Sequence, residues 1–173
     1  MKDESNDQEF VEWYNTYSDA IFRHCYFRLK GDRETAKEFV QETFIRTWKY
    51  RKTHEIHNIR AFLYRVATNL IINESRRAKR PTVSLDYLRD EKGFEPEDRD
   101  ESNTIHSALE VEQILRVLDE LPDEYREVVV LRYIDDLEPR EIAEIKNTTA
   151  NAVSIRLNRA IKKVKELFRY ERQ

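Results

Sequence analysis

The segment at residues 139–168 constrains the fold of this chain most, because it predicts two helices separated by a very short break. Pro139 suits the first position of a helix, where its missing N–H costs nothing. In the break at 146–149, Asn147 tolerates the left-handed backbone that ends a helix, and a threonine can cap the next one. The second helix is long, with apolar residues at intervals of three and four: Ala150, Val153, Leu157, Ala160, Ile161, Val164 and Leu167. This layout is typical of a helix-turn-helix, whose second helix enters the DNA major groove.

The other faces of this long helix are basic, with Glu166 as the one acid among them. The cations are Arg156, Arg159, Lys162, Lys163, Lys165 and Arg169. A basic amphipathic helix is often only a solvated surface helix, so charge and period alone leave both interpretations open. The short helix, tight turn and longer helix together favour DNA binding.

Composition predicts that the chain is nearly all helical. It has only 2 glycines and 4 prolines in 173 residues, and 38% of the residues are charged. Cys25 is the one cysteine and falls in an apolar helical stripe, which predicts a buried thiol and excludes a disulfide within the chain. With no apolar run of membrane-spanning length and an acidic start, we expect a cytoplasmic protein without membrane insertion.

Charge is distributed unevenly although the net charge is only −3. Residues 60–80 and 146–169 are basic, whereas residues 86–101 are strongly acidic. A polyanion docks according to the local distribution of charge rather than the total. We therefore predict an all-α fold of two small helical domains at 1–81 and 105–173, joined by a flexible acidic linker at 82–104.

Helical periodicity places the remaining elements. A polar tail at 1–8 is expected to fray. Helices are predicted at 9–29, 33–50, 59–78, 105–121 and 124–133, before the two at the C-terminal end. Asp32 can cap the second of these helices.

The loop at 51–58 carries His54, Glu55 and His57. Two histidines at this spacing can bind a metal, but a third ligand is not evident nearby, so a polar loop is the better interpretation. Gly-rich phosphate loops and nucleophile–base signatures are also missing from the sequence, so we expect no catalytic residues, no metal and no cofactor.

The helix at 59–78 combines polar groups with a basic end. Tyr64, Asn69 and Asn73 are either surface filler or groups that stack on and hydrogen-bond to unpaired bases. Cations that can contact phosphates follow at Arg76, Arg77, Lys79 and Arg80.

Four stretches, in order, resemble a known family. Residues 32–48 (DRETAKEFVQETFIRTW) resemble D-x-E-D-x-x-Q-E-x-F-x-x-x-W, and residues 61–80 (AFLYRVATNLIINESRRAKR) resemble W-L-Y-R-I-A-x-N-x-x-x-D-x-x-R-R. Residues 121–133 (LPDEYREVVVLRY) resemble L-P-x-x-x-R-x-x-x-x-L-R-x, and residues 136–167 resemble D-x-S-x-x-E-I-A followed by a recognition helix. The chain thus resembles a bacterial RNA polymerase sigma factor of the extracytoplasmic-function group of the sigma-70 family.

This resemblance implies a non-enzymatic factor that binds core RNA polymerase, through its clamp helices and flap, and directs it to promoter DNA. The N-terminal domain would melt and read the minus-ten element, with the loop at 52–58 capturing a flipped base. The residues implied for the single strand are His54, His57, Asn58, Tyr64, Asn69, Asn73, Arg76, Arg77 and Arg80. The outer face of the second helix would bind the polymerase through Glu38, Gln41, Glu42 and Arg46.

The C-terminal domain would read the minus-thirty-five element as duplex. The residues implied for that contact are Ser154, Ile155, Arg156, Asn158, Arg159, Lys162 and Lys163. Family members often have an anti-sigma partner, which we include as an expectation. Two alternatives stay open: a stand-alone helix-turn-helix regulator that binds duplex without polymerase, and a helical enzyme or adaptor that binds metal through His54, Glu55 and His57.

Overall fold

The computed structural model describes the backbone of residues 2–78 and 101–170, with side chains at 7–78 and 108–169. Within these ranges the chain forms seven α-helices and one π-helical turn and contains no strand. The helices are α1 (Lys2–Arg28), α2 (Arg33–Arg51), α3 (Ile59–Ala78), α4 (Glu101–Glu120), α5 (Asp123–Val129), α6 (Pro139–Lys146) and α7 (Ala150–Tyr170), with the π-helical turn at Val130–Ile134. The predicted all-α fold is confirmed.

Helices α1–α3 pack into what we call the N-terminal lobe. Its buried core includes Ile21, Ala36, Phe44, Leu63 and Ala67. Asp32 caps α2 as predicted, because its carboxylate accepts hydrogen bonds from the Thr35 backbone N–H at 3.1 Å and from the Thr35 hydroxyl at 2.7 Å.

The prediction of a frayed tail at 1–8 is wrong, since α1 begins at Lys2. The N-terminal half of α1 is tied to the end of α2 through Arg51. The Arg51 guanidinium pairs with Glu9 at 3.0 Å and lies over the Trp13 ring at 4.6 Å. These contacts anchor α1 at Glu9 and Trp13, directly after the segment that was predicted to fray.

Helices α4–α7 form the C-terminal lobe, in which α7 packs on both α5 and α6. Val128, Leu131, Ile142, Val153 and Leu157 are buried in its core. Helix α4 begins at Glu101, before the predicted start at residue 105, so residues 101–104 of the predicted linker are helical. The predicted linker at 82–100 lies outside the described residues.

The two lobes pack against each other in this structure. Helix α3 contacts α6, and α1 contacts the π-helical turn. The turn between α1 and α2 also approaches α4: a Cβ on Gly31, whose φ is +85°, would lie 3.0 Å from Leu115 Cδ1. A side chain at Gly31 would therefore be strained in its backbone and crowded by the other lobe.

Cys25 is fully buried, as predicted. Burial raises the pKa of its thiol to about 12, and the nearby Asp135 carboxylate adds to this effect. Because the thiolate is the reactive form, we expect the native chain to react with a maleimide far more slowly than a free thiol at pH 8, and to react fully in urea. Fast labelling of the native chain at pH 8 would show that Cys25 is accessible in solution.

Candidate nucleic-acid interface

The turn between α6 and α7 has the local geometry that the sequence predicts. Asn147 ends α6 in the left-handed conformation, with φ 50° and ψ 54°. Thr149 caps α7, since its hydroxyl accepts a hydrogen bond from the Ala152 backbone N–H at 3.1 Å. Buried Ile142 and Val153 pack in the core shared by the two helices. The helix-turn-helix is therefore present, and its second helix is held by a firm apolar contact.

One face of α7 is open to solvent. Ile155, Asn158, Arg159, Lys162 and Lys163 are exposed on it. Of the residues predicted to read the minus-thirty-five element, these five are available to a duplex. The face combines an apolar side chain, an amide and several cations, the groups that read base edges and contact phosphates.

The other two residues predicted for this face are half-buried and have partners within the lobe. The Ser154 hydroxyl donates to the Ala150 carbonyl at 2.9 Å, and Arg156 Nε lies 3.5 Å from Glu124 Oε2. Both lie at the edge of the exposed face, and their role in reading DNA stays a prediction.

Two further residues belong with this face but were not predicted. Asn151 is exposed in the first turn of α7, one turn before Ile155. Tyr125 of α5 lines a shallow cleft of about 250 Å³ together with Ile155 and Arg159. Asn151 could have been found from its helical register, whereas the position of Tyr125 depends on how α5 packs against α7.

In the N-terminal lobe, the loop before α3 carries an aromatic stack. The His54 ring lies 4.3 Å from the Tyr50 ring at an interplanar angle of 14°, and Tyr50 lies 4.8 Å from Phe62. His54 and Tyr50 are exposed, so a flat aromatic surface faces solvent beside the predicted base-capturing loop. Every base offers a π-face to such a surface. Sequence reasoning placed Tyr50 correctly in the last turn of α2 but missed its role, because the stack forms only when the following loop brings His54 back over the Tyr50 ring.

The residues predicted for single-stranded DNA differ in exposure. His57, Asn58, Asn69, Asn73, Arg76 and Arg77 are exposed, as His54 is, and Arg80 lies outside the described residues. Tyr64 is only 1% exposed and meets the His24 ring edge-on at 5.3 Å. Burial, with a smaller contribution from Asp135, raises the pKa of Tyr64.

A cleft of about 510 Å³ lies between α3 and the C-terminal lobe. Arg65, Thr68 and Asn69 line it from α3, and Glu127 and Lys146 line it from the C-terminal lobe. Of the α3 residues predicted to contact the strand, Asn69 lines this cleft.

The outer face of α2 carries the residues predicted to bind the polymerase. Glu38 and Gln41 are exposed, and Glu42 pairs with Arg46 at 2.5 Å. Ile45 is 46% exposed among these polar side chains. A single exposed apolar side chain is ordinary on a protein surface, so the polymerase contact of this face stays a prediction.

The histidine pair in the loop at 51–58 makes ordinary polar contacts. His54 Nδ1 lies 2.8 Å from the Thr53 hydroxyl, and His57 Nδ1 lies 4.0 Å from Glu55 Oε1. Among the residues that the structure describes, no group of three or more potential ligands could hold a metal ion. No helix in the described part is long and apolar enough to cross a bilayer.

Comparison with known families gives two matches in the order of the lobes. Sigma-70 region 2 matches residues 13–81, and Sigma-70, region 4, matches residues 111–164. The chain is 34% identical over 169 residues to the ECF RNA polymerase sigma factor SigW of Bacillus subtilis, covering 88% of this chain and 86% of that protein. It is 29% identical over 163 residues to SigM of the same organism, covering 91% and 93%.

Two solved structures share the fold. CnrH, solved in complex with the cytosolic domain of CnrY, has a TM-score of 0.71 at 21% identity and covers 96% of this chain and 92% of its own. The sigma factor RpoE of Bartonella quintana, solved with the anti-sigma factor NepR, has a TM-score of 0.69 at 16% identity and covers 94% and 98%.

Proposed function

Because this chain belongs to the ECF sigma factors of the sigma-70 family, we propose that its two lobes have different roles at the promoter. The N-terminal lobe opens the strands, and the C-terminal lobe recognises the duplex. The chain is a transcription initiation factor that binds core RNA polymerase and directs it to promoters. The polymerase performs the chemistry, and this chain supplies sequence recognition in the cytoplasm. The anti-sigma partner stays a prediction from the family resemblance.

The observation that supports these two roles is the chemical difference between the exposed face of α7 and the exposed surface of the N-terminal lobe. On α7, an amide, an apolar side chain and cations are spaced along one helix, which suits a major groove. The N-terminal lobe instead presents the Tyr50–His54 stack and the exposed amides Asn58 and Asn69, which suit unpaired bases. A stand-alone duplex-binding regulator has no need of the second face.

Run-off transcription tests the proposal. Purified core polymerase, with and without this chain, is given a pool of upstream fragments from the source genome. Start sites that appear only with the chain are the expected result. If transcripts are missing and the chain binds duplex fragments without polymerase, the stand-alone regulator is the better description.

We expect Asn69→Ala to slow open-complex formation about tenfold while leaving binding to the closed promoter duplex nearly unchanged. Asn69 is an exposed amide on α3, so its loss removes hydrogen bonds to an unpaired base and no packing. Permanganate footprinting of the melted region measures the first effect, and competition binding measures the second. Asn158→Ala on α7 is the matched control and should show the opposite pattern. Equal losses in both assays for Asn69→Ala would argue against strand capture.

A further inference from the structure

The start of α5 borders the exposed face of α7. The two helices form the shallow cleft of about 250 Å³, which Glu124 and Tyr125 line from α5 and Ala152, Ile155, Arg156 and Arg159 line from α7. Ala152, Arg156 and Arg159 follow one another at intervals of four and three residues, so they form the side of α7 that lies next to α5. The surface available to a duplex therefore continues from α7 onto α5.

The start of α5 is held firmly in this position. Tyr125 is half-buried and packs against the apolar core of the lobe. The next residue, Arg126, is buried and donates hydrogen bonds to the carbonyls of Leu118 at 2.6 Å and Leu121 at 3.1 Å, which join α5 to the end of α4. A side chain on such a supported element has a more precise position than one on a loop. The fold of the lobe thus fixes Glu124 beside α7.

Glu124 forms an ion pair with Arg156 across the cleft. Arg156 Nε lies 3.5 Å from Glu124 Oε2, and the two side chains are 33% and 62% exposed, respectively. Arg156 has no other ion pair among the residues that the structure describes. An ion pair as exposed as this one contributes little to the stability of a fold, so stability does not account for it.

A carboxylate is unfavourable on a surface that only binds phosphates. The exposed cations of α7, such as Arg159 and Lys163, attract the duplex backbone, whereas the Glu124 carboxylate repels it. Its charge therefore lowers the affinity for all sequences alike. If Glu124 favours promoter binding, it does so by improving discrimination between sequences rather than by adding attraction.

The geometry of the pair suits an arginine that reads a guanine. A guanidinium carries five N–H donors in one plane, and Glu124 lies nearest to the Nε of Arg156. The two Nη groups remain for DNA, and they match the O6 and N7 acceptors of guanine in the major groove. A long side chain that is already held before DNA arrives loses less conformational entropy on binding.

We propose that Glu124 is a positioning residue for promoter readout, which holds Arg156 so that its Nη groups meet the O6 and N7 acceptors of one guanine in the minus-thirty-five element. This inference rests on the proposed function of the C-terminal lobe. Glu124 acts through Arg156 and makes no base contact of its own. The specificity of α7 then depends on a residue that lies outside the helix-turn-helix.

The test is a double-mutant cycle on the complete holoenzyme. Competition binding uses duplexes that cover the minus-thirty-five region of a promoter mapped by run-off transcription, changed one base pair at a time at fixed salt. We expect Glu124→Gln to lose about fivefold of the preference for guanine at one base pair, and Arg156→Gln to lose about tenfold at the same base pair. The double variant should lose no more than Arg156→Gln alone, because Glu124 has no effect without its partner. A general disturbance of α5 would not reproduce this dependence.

Glu120→Gln is the matched control. It removes the same charge at an exposed position near the end of α4, and Glu120 does not line the cleft. This variant should leave the preference at every base pair unchanged. Circular dichroism checks that each variant keeps its helices.

A uniform change of affinity at all base pairs in Glu124→Gln would overturn the positioning role, since that is the effect of its charge alone. A loss at a base pair other than the one affected by Arg156→Gln would also overturn it, because Glu124 would then read a base directly, as a carboxylate can with the N4 amino group of cytosine. Both results leave the proposed function intact. A wild-type holoenzyme that prefers no base pair in this region would instead overturn duplex reading by the C-terminal lobe, and this inference with it.

Discussion

Arg126→Ala is expected to destabilise the C-terminal lobe by about 3–5 kcal/mol. Arg126 is buried where α4 ends and α5 begins. Its guanidinium donates to the carbonyls of Leu118 at 2.6 Å, Asp119 at 2.9 Å and Leu121 at 3.1 Å, and to Asp123 Oδ1 at 3.1 Å. Alanine would leave these carbonyls without the donor that satisfies the end of α4.

The positions of the two tryptophans allow the unfolding of each lobe to be followed separately. Trp13 and Trp48 both lie in the N-terminal lobe, so tryptophan fluorescence follows that lobe while far-ultraviolet circular dichroism follows all helices. In urea, we expect Arg126→Ala to lose part of its helical signal at a lower concentration, ahead of the fluorescence change. Arg116→Ala on the exposed side of α4 is the control and should shift either transition by about 0.5 kcal/mol at most. A helical transition of Arg126→Ala that coincides with that of the wild type would contradict the capping role.

Arg159→Ala is expected to weaken recognition of the promoter duplex by about 1–3 kcal/mol. Arg159 is exposed on α7 and lines the cleft with Ile155 and Tyr125, which is where a base edge would enter. An arginine that reads a base edge makes paired hydrogen bonds, so its loss should relax preference at one base pair. Competition binding of the holoenzyme to promoters varied one base pair at a time, at fixed salt, measures this.

Lys162→Ala is the matched control, one turn along the same exposed face. A lysine that contacts phosphate should weaken binding to all sequences alike and reduce the salt slope by about one. If Arg159→Ala weakened binding to all sequences equally, Arg159 would be a phosphate contact and the base-reading residues would lie elsewhere on α7.

Local chemistry in the sequence was sufficient to predict most helices. The ends of α2, α6 and α7 depend on Asp32, Asn147 and Thr149, which act on their own backbone neighbours within a few residues. The spacing of apolar residues then decided which side of α7 faces solvent, because a helix has one fixed period. The helix-turn-helix and its exposed face could therefore be predicted before any tertiary contact was known.

Whether an amphipathic side chain such as arginine or tyrosine is buried or exposed depends on the tertiary packing. Arg126 is part of a recognised motif, yet its position in the sequence does not reveal that it closes the end of α4. Tyr64, predicted to contact a strand, is buried against His24 of another helix. Such outcomes depend on which surfaces meet, and helical period alone does not contain that information.

The contact between the lobes is the clearest case. Two basic segments, an acidic segment between them and the periodicity of the helices are all evident from the order of residues alone. The π-helical turn and the left-handed Asp136, with φ 53°, place Asp135 against His24, which is 111 residues away along the chain. No local propensity encodes a pairing at that separation, because it depends on how α1 packs against the π-helical turn.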